Sequence, residues 1–177
     1  MIDSIMLVDD EDLFHLVFED ACSLLDITLS LRAINSSDEA EKMFKKWFKG
    51  IEKHEKPSCV FVDLNIVGSS FDGIELIRRI NFEYGNHVVI GIISSSNEAD
   101  EQAKAIAAGA QFWIIKSDEI EPRLEDFLNP TVFYRIRDTK CKKKKNKSGT
   151  IKIREFKDII NTNRLRDKLD VFWLDKI

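Results

Sequence analysis

The sequence predicts an α/β fold: a doubly wound five-stranded parallel sheet, followed by a C-terminal extension of a small β-hairpin plus a helix. Three observations predict it. Five short apolar runs alternate with five stretches of helical periodicity between Ser4 and Leu128, the pattern of strands joined by helical crossovers. Most of the runs are apolar at successive positions, as strands covered on both faces are. The runs also end in Asp9, Asp63, Ser94 and Lys116, and open parallel sheets gather their functional groups at the carboxyl ends of their strands.

Residues 4–9 read as the first strand, and Leu13, Phe14, Val17, Phe18, Ala21, Leu24 and Leu25 then recur at helical spacing. "DITLSLRAI" (26–34) alternates like a strand. A capping box, Ser36 with Glu39, opens a second helix carrying Ala40, Met43, Phe44, Trp47, Phe48 and Ile51. "SCVFVD" (58–63) is an apolar run closed by an acid, and the loop "LNIVGSSFDG" leads to a helix with Ile74, Ile77 and Ile80. "HVVIGIIS" (87–94) is the most apolar strand. A second capping box, Ser95 with Glu98, is expected to start an alanine-rich helix that Gly109 terminates. "QFWII" (111–115) is the fifth strand and residues 117–128 the fifth helix.

The formal charge of −4 conceals an asymmetry: residues 130–177 hold 15 Lys or Arg and 6 Asp or Glu, a net +9, which leaves −13 for residues 1–129. Two parts with different partners are expected, 1–129 and 130–177, divided near Asn129-Pro130. No apolar run approaches the ~20 residues needed to span a bilayer, and no secretory signal is visible. Cys22, Cys59 and Cys141 have no metal or redox spacing, and their odd number argues against a disulfide framework. The expectation is a reduced, cytoplasmic protein that makes no membrane contact.

The strand ends carry the chemistry. Carboxylates about 5 Å apart repel by roughly 3 kcal/mol at an effective dielectric of 20, so the acids of "VDDED" beside Asp63 call for a cation that Lys116 alone does not supply. Mg²⁺ takes oxygen ligands and completes its shell with water and phosphate oxygens. Such a cluster, with a hydroxyl and a lysine, suits phosphoryl transfer to a carboxylate. At "VDDED", "FVDLN", "IISSS" and "GAQFWIIK" the sequence resembles the receiver domain of two-component response regulators, over about residues 1–128. The resemblance implies a flavodoxin-like receiver fold and a phosphoacceptor signalling protein rather than an enzyme. In it Asp63 is phosphorylated by a sensor histidine kinase or phosphotransfer protein. It further implies Mg²⁺ held by Asp10, Asp63 and the backbone carbonyl of Asn65, with Asp9 helping through water. Ser94 and Lys116 would bind the phosphoryl oxygens, and Trp113 would be the aromatic switch. The chain departs from the family's pattern at Ser117, where a proline is usual, and in the longer loop after Asp63.

Other readings compete. Asp9 and Asp10 can simply cap the first helix, and Ser94 and Trp113 can be a strand-end hydroxyl and packing. His15, His54 and His87 share no ligand spacing and read as structural or exposed. In the extension, "TVFYRIRD" and "TIKIRE" alternate around a lysine-rich connection, which predicts a ribbon with one apolar and one basic face. Leu165, Leu169, Phe172 and Trp173 form a helical apolar stripe. That stripe needs burial in a small core with the ribbon, on the receiver surface or against a second subunit in a homodimer. Response regulation through protein–protein contact is the leading expectation. A nucleic-acid-binding regulator using the basic ribbon and a metal-dependent phosphohydrolase are its rivals.

Overall fold

The computed structural model describes residues 4–25, 30–49, 56–85, 87–96, 98–116 and 120–128. The whole extension from 129 onward, with its expected ribbon and helix, lies outside the described residues, as do 26–29 and 117–119 of the expected second strand and fifth helix. Strands β1 (Ser4–Val8), β2 (Ser30–Ile34), β3 (Cys59–Val62), β4 (Val89–Ser94) and β5 (Phe112–Ile115) alternate with helices α1 (Asp12–Leu24), α2 (Ser37–Phe48), α3 (Gly73–Tyr84), α4 (Ala99–Ala108) and α5 (Glu121–Leu128). The sheet is parallel throughout, in the order β2-β1-β3-β4-β5. This is the doubly wound fold that the sequence predicts.

Alternate side chains of each strand enter opposite layers, because successive Cβ atoms point to opposite faces. Met6, Val8, Val60, Val62, Ile90 and Ile92 pack under α2, α3 and α4, against Phe44, Trp47, Leu76 and Ile80. Ile5, Leu7, Phe61, Ile93, Phe112 and Ile114 face α1 and α5, against Phe14, Phe18, Leu124 and Phe127. Phe61 centres the second layer, its ring edge-on to Phe18, Phe112 and Phe127 at 5.2–5.4 Å. Edge-to-face pairs of this kind add about 0.5–1.5 kcal/mol each beyond their burial. Gly91 makes this layer fit, since a Cβ there would stand 1.7 Å from the Phe112 ring. β2 lies at the sheet edge, and only Ile34 of its five residues is buried, which is why its sequence alternates where the inner strands do not.

The helix ends follow the predicted chemistry with one exception. Ser36 accepts the Glu39 N–H at 3.2 Å, and Gly109 closes α4 in the left-handed conformation at φ 118°. The capping box expected at Ser95 does not form: Glu98 is the N-cap of α4 and has no side-chain cap bond. Instead Ser94 Oγ accepts the Ser96 N–H and Ser96 Oγ accepts the Glu98 N–H. Successive hydroxyl turns hold the chain out of the helix and delay its start.

Candidate functional site

Strand register builds the site. Val8 pairs with Val62, so Asp9 and Asp63 leave adjacent strands at the same level, and Asp63 N–H donates to the Val8 carbonyl at 2.9 Å. Ser94 pairs with Ile115, and Lys116 N–H donates to the Ser94 carbonyl at 2.8 Å. Between β1 and β3 the strand order reverses, the switch point at which such sheets open a crevice. The acids of the first strand and Asp63 flank that reversal, and Lys116 reaches them across β4.

Lys116 Nζ lies 2.8 Å from Asp63 Oδ2 and 2.8 Å from Asp9 Oδ2, with Glu11 Oε2 at 3.4 Å. It bonds Asp63 in good alignment. Its approach to Asp9 Oδ2 is an ion contact outside hydrogen-bonding alignment, so that buried oxygen keeps an unmatched lone pair. Asp9 Oδ1 accepts the Glu11 N–H at 3.0 Å. Asp9 is wholly buried and Asp63 nearly so, whereas Asp10 is half-buried. One oxygen from each of the three acids falls within 4.8 Å of the others.

The electrostatics of the cluster are uneven. Burial raises the Asp9 carboxyl above the usual carboxylate range, although Lys116 and the Glu11 N–H pull the other way. Burial would lower the Lys116 ammonium, but its hydrogen bond to Asp63 and its ion contact with Asp9 outweigh that and push it up to about 12. The two shifts agree physically: the ammonium sees two carboxylates, while Asp9 must share one ammonium. Three carboxylates against one ammonium leave an excess of negative charge. That excess, the all-oxygen donor set and the unmatched Asp9 Oδ2 fit a hard divalent cation.

The other expected site residues are placed as follows. Asn65 donates its N–H to Asp63 Oδ1 at 3.4 Å, which puts its backbone beside the phosphoacceptor candidate. Ser94 is fully buried at its strand end. Trp113 is 2% exposed and belongs to the α2–α3–α4 layer, its indole N–H unmatched by any acceptor among the described residues. It therefore starts from a buried position. The N-cap position of α1 falls on Glu11, which has no side-chain cap bond, and Asp9 meets the helix start through the Glu11 N–H.

Several supporting contacts escaped the sequence reading. His15 Nε2 donates to the Asp9 carbonyl at 2.6 Å and so holds the acid turn. The Phe14 ring lies beneath Lys116, with Nζ 4.7 Å from its centroid. Gly73 lets α3 start hard against the site, since a Cβ there would stand 1.8 Å from the Asp63 carbonyl oxygen. The glycine directly after the helix-capping Asp72 was its sequence signal. Asp38 accepts the Ser70 N–H at 2.7 Å, and Ser69 Oγ accepts the Ser37 N–H at 3.0 Å. These bonds fasten the long loop after Asp63 to the start of α2.

Residues 5–125 match the family described as Response regulator receiver domain. No curated protein sequence matches the chain well enough to count as a relative. Among solved structures, the fold is similar to the phosphorylated cyanobacterial phytochrome response regulator RcpA. That match has 15% identity and a TM-score of 0.58, and covers 78% of this chain and 91% of that one. The receiver domain of NtrX from Brucella abortus matches at 24% identity and a TM-score of 0.56, covering 76% and 98%. The Mn²⁺-bound form of response regulator Rcp1 matches at 14% and 0.57, covering 77% and 90%. Among the described residues no helix is long and apolar enough to cross a membrane.

Proposed function

The chain belongs to the response regulator receiver domain family of two-component systems, and from that premise we propose that it is switched by Mg²⁺-dependent phosphorylation of Asp63. One observation carries the reading: a single lysine Nζ sits 2.8 Å from both Asp63 and Asp9 inside a cluster of three acids. Asp10, Asp63 and the Asn65 carbonyl would hold Mg²⁺, with Asp9 helping through water. Bound there, the ion would neutralise the acids and screen the phosphoryl charge. An Asp63 carboxylate oxygen attacks phosphorus; a P–O bond forms, and the bond from phosphorus to the donor breaks with its electron pair leaving on the donor. Lys116 turns from the Asp63 carboxylate to a phosphoryl oxygen, and the Ser94 hydroxyl donates to another. The phosphodonor would be a sensor histidine kinase or phosphotransfer protein, and the output a protein–protein contact.

Intact-mass measurement after incubation with a small phosphodonor tests the reading. Addition of one phosphoryl group with Mg²⁺, and its loss in EDTA, are expected; labelling at an equal rate in EDTA would overturn it. The net +9 of residues 130–177 favours a second role, nucleic-acid binding by the extension. A steep fall of affinity with salt would support that role, and absence of binding at low salt would remove it.

A further inference from the structure

Helix α1 is apolar on two sides. Phe14, Phe18, Ala21 and Cys22 enter the core, yet Leu13, Leu16, Val17 and Leu24 remain 75%, 59%, 36% and 72% exposed. At ~100° per residue, Leu13, Val17 and Leu24 fall within about 40° of one another, on a strip that flanks the core face roughly 100° from its centre. Single exposed leucines are ordinary, whereas a contiguous row marks a contact surface. The charges that α1 itself contributes are of one sign: Asp12, Glu19 and Asp20 are exposed and α1 contains no Lys or Arg. A partner for this face must therefore be apolar along one stripe and cationic beside it.

The chain itself carries such a segment. Leu165, Leu169, Phe172 and Trp173 recur at helical spacing; on that spacing Arg166 and Lys168 would flank the apolar stripe, and Asp167 and Asp170 would fall on the opposite side. The path of the chain brings this segment to α1. Phe127 and Leu128 at the end of α5 share a core cluster with Phe18 and Cys22 of α1, so the chain leaves the described fold beside that helix. From there, 36 residues precede Leu165. If the expected ribbon (131–155) returns the chain near its start, the nine residues 156–164 still reach up to ~30 Å when extended, more than the ~20 Å length of a 13-residue helix. A tether of that reach gives an effective concentration approaching the millimolar range.

We propose that residues 164–173 dock on the exposed face of α1, with the leucines and aromatic rings on Leu13, Val17 and Leu24 and a cation against Asp20. The end of the extension is then a partner for this helix within the same chain.

Trp173 reports the contact, because the other two indoles, Trp47 and Trp113, are each 2% exposed. Iodide quenching of the full chain at constant ionic strength should find almost no accessible indole. In Leu13→Gln/Leu24→Gln, and separately in Asp20→Lys, about one of the three indoles should become quenchable while far-ultraviolet circular dichroism stays unchanged. Leu169→Gln should do the same from the other side of the contact. Trp173 quenchable in the unmodified chain would overturn the proposal. So would protection that ignores all the α1 substitutions, which would place Trp173 in a core of the extension's own. Protection that disappears on dilution, with a matching dimer in sedimentation, would replace the tether by a second copy and equally overturn it.

Discussion

Asp10 shares its corner with two more deeply buried carboxylates, so an Asp10→Asn substitution separates the cost of the acid cluster from its use. The three acids present oxygens within 4.8 Å of one another. Each carboxylate pair at that distance repels by ~3.5 kcal/mol at an effective dielectric of 20, and by ~0.9 kcal/mol in water. Asp10 is half-buried, and Lys116 offsets part of the repulsion, so its removal should raise metal-free stability by about 1–2 kcal/mol. With metal the order reverses. A ligand at 100 times its dissociation constant stabilises the native state by about 2.7 kcal/mol, and the substitution removes a proposed ligand oxygen. Urea midpoints in EDTA and in saturating Mg²⁺, at unchanged slope, should therefore cross: the variant more stable without metal, the unmodified protein more stable with it. A variant less stable in EDTA, with no difference in the Mg²⁺ response, would refute the reasoning and make Asp10 a structural residue.

Three further expectations follow from the same geometry. Lys116→Met removes the ammonium that Asp9 and Asp63 share; loss of one partner from a buried ion cluster costs about 3–5 kcal/mol, and Mg²⁺ should restore part of it in thermal melts. Unchanged melting in EDTA would deny the pairing. Gly91→Ala would push a methyl into Phe112, which cannot retreat because its ring stacks on Phe127 at 3.9 Å and meets Phe61 edge-on. The expected loss is at least about 2 kcal/mol, and a urea midpoint within error of the unmodified protein would show that the layer has slack. Glu41 pairs with Lys45 and Arg79, and its carboxyl is lowered chiefly by its hydrogen bond to Lys45, against a smaller opposing effect of burial. A depressed acid stabilises the fold above its unfolded value of 4.5 and ceases to do so as pH falls through the folded one. The stability difference between the unmodified protein and Glu41→Gln, about 0.5–1 kcal/mol at neutral pH for a partly exposed network, should accordingly vanish in acid; a difference that persists there would not be electrostatic.

The fold was legible because its inner strands are apolar at nearly every position. Cys59–Val62 and Val89–Ser94 have no exposed residue, and only a strand covered on both faces has that composition. The site was legible because its parts stand at strand ends, where parallel register carries Asp9, Asp63, Ser94 and Lys116 to one edge. The contacts that depend on three-dimensional approach were not legible. His15 meets the Asp9 carbonyl one helical turn later, and nothing in its spacing distinguishes it from an exposed histidine. Asp38 and Ser70 are 32 positions apart, and their bond depends on how the long loop folds back on α2. The Ser95 capping box failed because its two neighbours, Ser94 and Ser96, offered the backbone competing hydroxyl acceptors, a choice that local sequence leaves open.

The identity of the modified carboxylate tests the account most directly. After phosphorylation by a small phosphodonor with Mg²⁺, borohydride reduction converts an aspartyl phosphate to homoserine, which peptide mass spectrometry locates. The account predicts homoserine at position 63 alone and none in Asp63→Asn, because Asp63 is the acid that sits with Lys116 aligned on its Oδ2 at 2.8 Å. Reduction at Asp9 or Asp10, or undiminished labelling of Asp63→Asn, would contradict it.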